Sequence, residues 1–344
     1  MSRALDPDTA SSIQTDAPLQ VYEDIVKAVC YNTSPVLLEV EFLGKSHELP
    51  VGCNVLVDEN FIGVPKNKLV QAFVVARGIF FKSLEDFQNA SHQDIRNATA
   101  VMLLMDPENL TAANTRKRLI QASQKESVAD LEKTLNEELH WVNSMLTSRL
   151  HRHTKSPTLW DHRRWVVLAC QSIKIPQDIE GDLNKLVLVA AERHPRNYYA
   201  WLHMRWLLQN HYKDTSNTST KPFDESSFLS IIQDWCLRHP SDTSGFSFLL
   251  FFLFQISSSS RSRIEINSSV CKELLRLSVS LQWTHQSVWV FLRTLVASGQ
   301  VTEDQRTGFF ESIEGLLASH PEDSGSRSTL AAARDWCIRY EQKS

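Results

Sequence analysis

A chain of 344 residues with 42% hydrophobic and 22% charged side chains has ordinary globular composition and enough length for one elongated domain or two compact ones. Its net charge of −4 weighs against a nucleic-acid binder, which carries a basic excess. No apolar run is long enough to span a bilayer, the apolar stretch from Phe246 to Ile256 included.

In chain order, residues 1–17 are polar and are expected to form a disordered tail. Residues 18–90 are expected to be a small α+β segment packed on the helical region after it. Within it, Val36, Leu38, Val40 and Phe42, then Val51, Cys53, Val55 and Val57, give period-two stripes. Gly44-Lys45 is the expected turn of a short β-hairpin between them. Cys30, Cys53, Cys170, Cys236, Cys271 and Cys337 form no CxxC pair. They read as buried or partly buried free thiols in a reducing compartment, with a cytoplasmic location expected. With only 10 glycines, a sheet-rich fold with many tight turns is disfavoured.

From about residue 91 to 343 the pattern is helical and it repeats. Large side chains at Trp160, Trp201, Phe246 and Trp289 lie 41, 45 and 43 residues apart, and Ala113 stands 47 residues before the first. Six residues before these anchors the chain tends to break, at Pro107, Pro195 and Pro240; Thr154 and Trp283 depart from the rule. Four residues before them a small polar residue recurs, Asn109, Ser156, Asn197 and Asp242, with His285 as the exception. A proline stops one helix, and a polar side chain two positions later caps the next by accepting its orphan N–H groups. Pro157 suits the first helical position.

The period fits two helices of three to four turns each with their loops, and one hairpin alone cannot bury both faces. The fold class expected is therefore all-α, a right-handed α-α superhelix of about five stacked hairpins. Leu183, Leu186, Val187, Ala190 and Ala191 make one apolar helical stripe. Pro321 and Asp323 keep the spacing of a sixth unit, but Arg327 replaces its anchor, as in a terminal cap ending near Tyr340. Residues 214–221 and 257–260 read as connectors.

Ser-Pro-Thr-Leu-Trp-Asp-His-Arg-Arg-Trp at 156–165 and Asn-Tyr-Tyr-Ala-Trp-Leu-His-Met-Arg-Trp at 197–206 resemble the repeat of protein prenyltransferase α subunits, roughly Asn-Tyr-x-x-Trp-x-x-Arg. The resemblance covers about residues 95–295. A divergent branch of that family is the most similar, on Tyr31 to Val36, Asn67-Lys68-Leu69, Asp106-Pro107 with Arg116-Lys117, and Ser241 to Phe246. The resemblance implies an α-type crescent around a β subunit that carries the catalytic zinc, with magnesium a further candidate cofactor there. The pair transfers an isoprenoid, geranylgeranyl before farnesyl, from its diphosphate to a protein cysteine. Partners implied are the β subunit, the acceptor protein and the isoprenoid diphosphate.

The family's active-site lysine matches Arg196, which keeps the charge and suits bidentate diphosphate contact. Asn197, Tyr198, Arg163, Arg164 and Arg205 are the accompanying candidates for substrate or partner binding. Asn197 is explained first as a cap and Tyr198 as a packing residue, while Arg163 and Arg164 are equally explained as tryptophan-stacking or carboxylate-pairing residues. Trp160, Trp201, Phe246 and Trp289 are core anchors first. Met204, Leu249 and Leu250 depart from the repeat pattern. Together with the missing family lysine they motivate an alternative, a catalytically silent α-solenoid adaptor. No metal ligands are assigned to this chain: His151, His153 and His162 lack zinc spacing and are expected to be exposed or capping. His194, His239 and His320 are expected at helix C-termini as partly cationic imidazoles.

Overall fold

The computed structural model describes residues 18–31, 36–44, 46–47, 49–85, 90–123, 127–213, 224–255, 260–321 and 325–340. The expected tail, the connector at 214–221, Ser257 to Ser259, Lys45 and Asp323 lie outside them. The chain divides into two compact units, the first running to His203 and the second from Met204. The class is all-α with one small sheet.

The first unit opens with α1 (Pro18–Cys30), strands β1 (Glu39–Leu43), β2 (Leu56–Asp58) and β3 (Phe61–Pro65), and α2 (Lys66–Glu85). The strand order is β1-β3-β2. β1 runs parallel to β3, and the hairpin joins β2 to β3, pairing Asp58 with Phe61. The expected hairpin about Gly44-Lys45 is therefore corrected: the strands it was to join are not neighbours, and the turn sits at Glu59-Asn60. Glu59 adopts φ 52° there, and Asn60 Nδ2 donates to the Leu37 carbonyl at 2.9 Å. The outer edge of β1 is closed by a helix. The Leu38 and Val40 N–H groups donate to the Ser144 and Ser148 hydroxyls, at 2.9 and 3.0 Å, which leaves these two donors no free ladder.

Next come α3 (His92–Met105), α4 (Leu110–Ser123), α5 (Val128–Thr147), the single turn α6 (His151–Thr154) and α7 (Pro157–Ser172). They are followed by α8 (Ile179–Asp182), a π-helical turn (Leu183–Val187) and α9 (Leu188–Arg193). Helix α10 (Tyr198–Lys213) begins in this unit and its later turns belong to the second. Anchor-bearing α4 and α7 pack side by side, as do α5 and α7. The stripe from Leu183 to Ala191 is buried as expected, but its first turn is π rather than α, with the Leu188 N–H donating to the Leu183 carbonyl.

The second unit continues with α11 (Glu225–Arg238), α12 (Thr243–Gln255), α13 (Ser260–Ser280), α14 (Gln286–Ala297), α15 (Glu303–Ser319) and α16 (Gly325–Tyr340). Two rows form: α12, α14 and α16 pack in succession, and α13 packs on α15. Gly245 permits one close approach here, since a Cβ on it would lie 2.3 Å from the Trp235 ring. Arg327, in place of a sixth anchor, donates to the Leu317 and His320 carbonyls.

Candidate functional site

Four of the five repeats start with a side chain that caps their own helix. The Asn109 and Asn197 Oδ1 atoms accept from Ala112 and Ala200 N–H at 3.0 and 3.3 Å. Ser156 accepts from Leu159 N–H at 3.0 Å, and Asp242 from Ser244 and Gly245 N–H at 2.9 and 3.0 Å. His285 makes no side-chain cap. The anchors Ala113, Trp160, Trp201, Phe246 and Trp289 are all buried. Their rings meet the neighbouring hairpin: Trp160 lies 5.2 Å from His203, Phe246 5.6 Å from Phe291 and Trp289 6.0 Å from Phe309.

A second feature links the repeats. At three positions the carbonyl six residues before an anchor accepts from the start of the following repeat. Ser156 Oγ donates to the Pro107 carbonyl at 3.1 Å, Asn197 Nδ2 to that of Thr154 at 2.9 Å, and Ser287 Oγ to that of Pro240. The anchor indoles use the same position of their own repeat, Trp160 Nε1 reaching Thr154 and Trp289 Nε1 reaching Trp283.

Arg196 stands where these contacts leave the chain exposed. It adopts φ 60°, the left-handed region that a non-glycine residue rarely occupies, and its carbonyl accepts the Tyr198 N–H at 2.9 Å. Tyr198 and Tyr199 are exposed and stack edge to face at 5.6 Å. Asn197 beneath them is fully buried, and it also reaches the Ala190 carbonyl at 3.3 Å. Asn197→Ala is expected to lower unfolding free energy by about 1–2 kcal/mol, because a cap and a buried partner for the Thr154 carbonyl go together. Asn197→Ser, which keeps the cap, should recover part of that in urea titrations. A change within ~0.3 kcal/mol for the alanine variant would show the loop held by other contacts.

The arginine three residues after an anchor turns inward. Arg163 is 2% exposed. It donates to Asn143 Oδ1 at 2.7 Å, to Asp182 Oδ1 at 2.5 Å and to His203 Nε2. Accepting that bond requires a bare nitrogen on His203, and burial, with the charges of Arg163 and Arg164, holds this imidazole neutral well below its usual range. Arg164 is half-buried. Arg205 lies over the Phe251 ring at 4.4 Å and donates to the Ser247 carbonyl. At the position matching Arg163 in the next repeat, Met204 is buried in the core.

The first repeat holds the same device. Arg116 grips both carboxylate oxygens of Glu138 at 2.7 Å while covering the Trp141 ring at 4.2 Å. His162 Nε2 reaches the same carboxylate at 2.7 Å. Burial alone would raise the Glu138 pKa, but Arg116 and His162 outweigh it and hold the group far below the carboxylate range. Glu138, Asn143 and Asp182 gave no sequence signal, since the carboxylates lie 22 and 19 residues from their arginines on other elements. A cleft of about 600 Å³ opens beside Arg163, with Leu139, Val167, Ile175 and Leu186 among its walls.

Three histidine and cysteine expectations change. His153 and His162 are buried rather than exposed, and His153 Nε2 meets the Leu103 and Leu104 carbonyls at 3.1 and 3.0 Å. His239 and His320 do close helix C-termini, each through Nδ1 and the carbonyl four residues earlier, at 2.8 Å. His194 is not partly cationic: burial, with His151 and Lys155, pushes it down to about 4. Cys53 is exposed, while Cys170, Cys236, Cys271 and Cys337 are buried. Among the described residues no three His, Cys, Asp or Glu side chains gather as a metal site. Among them, too, no helix is long and apolar enough to cross a membrane.

Residues 159–278 match the family described as the ECM9 middle domain. The human protein prenyltransferase alpha subunit repeat-containing protein 1 is 30% identical over 240 residues, covering 64% of this chain and 53% of that protein. The geranylgeranyl transferase type-2 subunit alpha of Dictyostelium discoideum is 25% identical over 146 residues, 42% of each. The chain thus spans about half the length of the curated relatives it matches. Among solved structures, Candida albicans protein geranylgeranyltransferase-I complexed with GGPP aligns with 89% of this chain and 97% of that chain, at TM-score 0.49 and 14% identity. The similarity first drawn from 156–165 and 197–206 thus extends over 240 residues of a protein named for the prenyltransferase α-subunit repeat and over 146 residues of a geranylgeranyl transferase α subunit.

Proposed function

We propose that this chain is the α-type subunit of a heterodimeric protein prenyltransferase, acting with a zinc-bearing β subunit to move an isoprenoid from its diphosphate to a protein cysteine. The observation that carries the reading is the long sequence similarity to a human α-subunit repeat-containing protein. The capped, aromatic-anchored hairpins supply the frame. Geranylgeranyl is preferred over farnesyl because the Dictyostelium relative is named for it. In the reaction the cysteine sulfur bonds to the isoprenoid carbon, the carbon–oxygen bond breaks and diphosphate leaves. Zinc on the β subunit supplies an activated thiolate.

On this chain Arg196 is assigned to the leaving diphosphate. Its backbone is left-handed and the residue is exposed, and the two parallel N–H donors of a guanidinium match a phosphate edge. Tyr198 and Tyr199 beside it are offered to the β subunit. Arg163 is spent on internal bonds, and the internal use of Arg163 together with the core placement of Met204 and Leu249 favours the second reading, a solenoid adaptor without transfer activity.

Co-expression with candidate β subunits, purification through a tag on one chain, and prenyl transfer to a pool of cysteine-containing proteins separate the two. Activity is expected from the pair and not from this chain alone. Arg196→Ala should lower turnover by roughly tenfold or more while the pair still co-purifies. A stable pair with no transfer to any acceptor would leave the adaptor. Unchanged turnover would release Arg196 from the site.

A further inference from the structure

Helix α2 buries Leu69, Ala72, Ala76 and Phe80 against α1 and α3. Its opposite face has no cover among the described residues, although it is not a polar face. Val70, Val74, Arg77, Phe81 and Leu84 follow one another at spacings of four and three, the seam pattern of a helix that packs along another helix. Val74 is 54%, Phe81 51% and Leu84 40% exposed. Arg77 lies across this ridge, 5.8 Å from the Phe73 ring and 5.6 Å from that of Phe81.

Two local choices on the same helix run against its own stability. Gly78 sits in mid-helix on the exposed side, where glycine costs about 1 kcal/mol relative to alanine. A Cβ there would meet nothing within 4 Å, so no contact among the described residues requires its absence. The first turn carries Lys66 and Lys68 and no acid, although cations are disfavoured at a helix N-terminus. Lys66, Arg77 and Lys82 share the helix with one carboxylate, Glu85. Neither Lys66 nor Lys82 makes an ion pair among the described residues.

We infer that this face docks an amphipathic helix of a partner protein, with apolar residues on the ridge and acidic residues on its flanks. The heptad spacing selects a helix. The gap at Gly78, framed by Val74 and Phe81, receives one of its side chains, and the basic excess sets the sign of its flanks. A bilayer surface would need neither the regular spacing nor the gap. The inference is independent of the prenyltransferase reading.

The test uses the full chain and two fluorescent helical peptides of about three heptads. Their leucine seams are the same; one has glutamate and the other lysine at the flanking positions. The glutamate peptide is expected to bind at least about tenfold more tightly, with affinity falling as salt rises. Val74→Glu with Phe81→Glu, both exposed positions, should abolish binding while circular dichroism stays unchanged. Gly78→Ala should weaken binding several-fold without lowering thermal stability. Failure of the glutamate peptide to bind, equal binding of both peptides, or full binding by the double variant would overturn the inference. So would sedimentation with phosphatidylserine vesicles while both peptides fail, which would assign the face to a membrane.

Discussion

Glu138→Gln is expected to lower the free energy of unfolding by roughly 3–5 kcal/mol, the cost of leaving a buried cation without its counter-charge. Arg116 is 2% exposed and directs two donors at the lost carboxylate, and His162 loses the same acceptor. Glutamine keeps the shape and one carbonyl oxygen, so the change isolates charge from packing. The ion pair itself need not be a net gain, because both groups were stripped of water to make it. Arg116→Met combined with Glu138→Leu should therefore recover much of the single-variant loss. Urea titration of the three variants reads this directly. A loss below ~1 kcal/mol for Glu138→Gln would mean that water reaches Arg116 and that the site is not sealed.

Acid is expected to weaken the fold well above the pH at which its carboxylates titrate. His153 and His194 have folded pKa values pushed down to about 4 by burial, and His203 lies well below its ordinary value for the same reason. Unfolded, each takes up a proton near pH ~6.5. Between ~6.5 and ~4 the unfolded chain thus binds more protons than the folded one, so stability is full above this window and falls as pH drops through it. For the deeply buried His153 the loss amounts to about 3 kcal/mol by pH ~4, at ~1.4 kcal/mol for each pH unit crossed. Its geometry gives the cause. Nε2 is engaged by two carbonyls, and Nδ1 is shielded from water with no partner, so a second proton has no acceptor.

Glu138 acts in the opposite range. Its depressed value contributes stability above the unfolded ~4.3, and that contribution goes only as pH falls far below it. Denaturant midpoints measured from pH ~7.5 down to ~4.5 should therefore decline, and His153→Gln should flatten the decline. A flat profile in the parent chain would place these rings in water.

The caps and anchors were legible because they are local chemistry. An oxygen at the start of a helix and an aromatic one turn inside it declare themselves within a few residues, as Ser156 and Trp160 do. The strand pairing was not. Gly44-Lys45 satisfied the turn rule, but β1 found its partner in β3, and the real turn at Glu59 uses a left-handed residue that no rule favours. Arg163 was visible as a residue and invisible as a contact, since Asp182 and Asn143 come from two other elements. The π-helical turn at Leu183–Val187 keeps the apolar stripe inward, so periodicity alone read it as α. Arg196 was singled out by resemblance, and its positive φ directly precedes the capping Asn197.

The bonds from Ser156 to Pro107, Asn197 to Thr154 and Ser287 to Pro240 all end on main-chain oxygens. No codon change at 107, 154 or 240 deletes the receptor, only the donor across from it. The clasp between neighbours is thus half immune to mutation, and it tolerates serine or asparagine on the other half. Signature residues of individual units can depart from the pattern, as Met204 and Leu249 do, without touching these bonds.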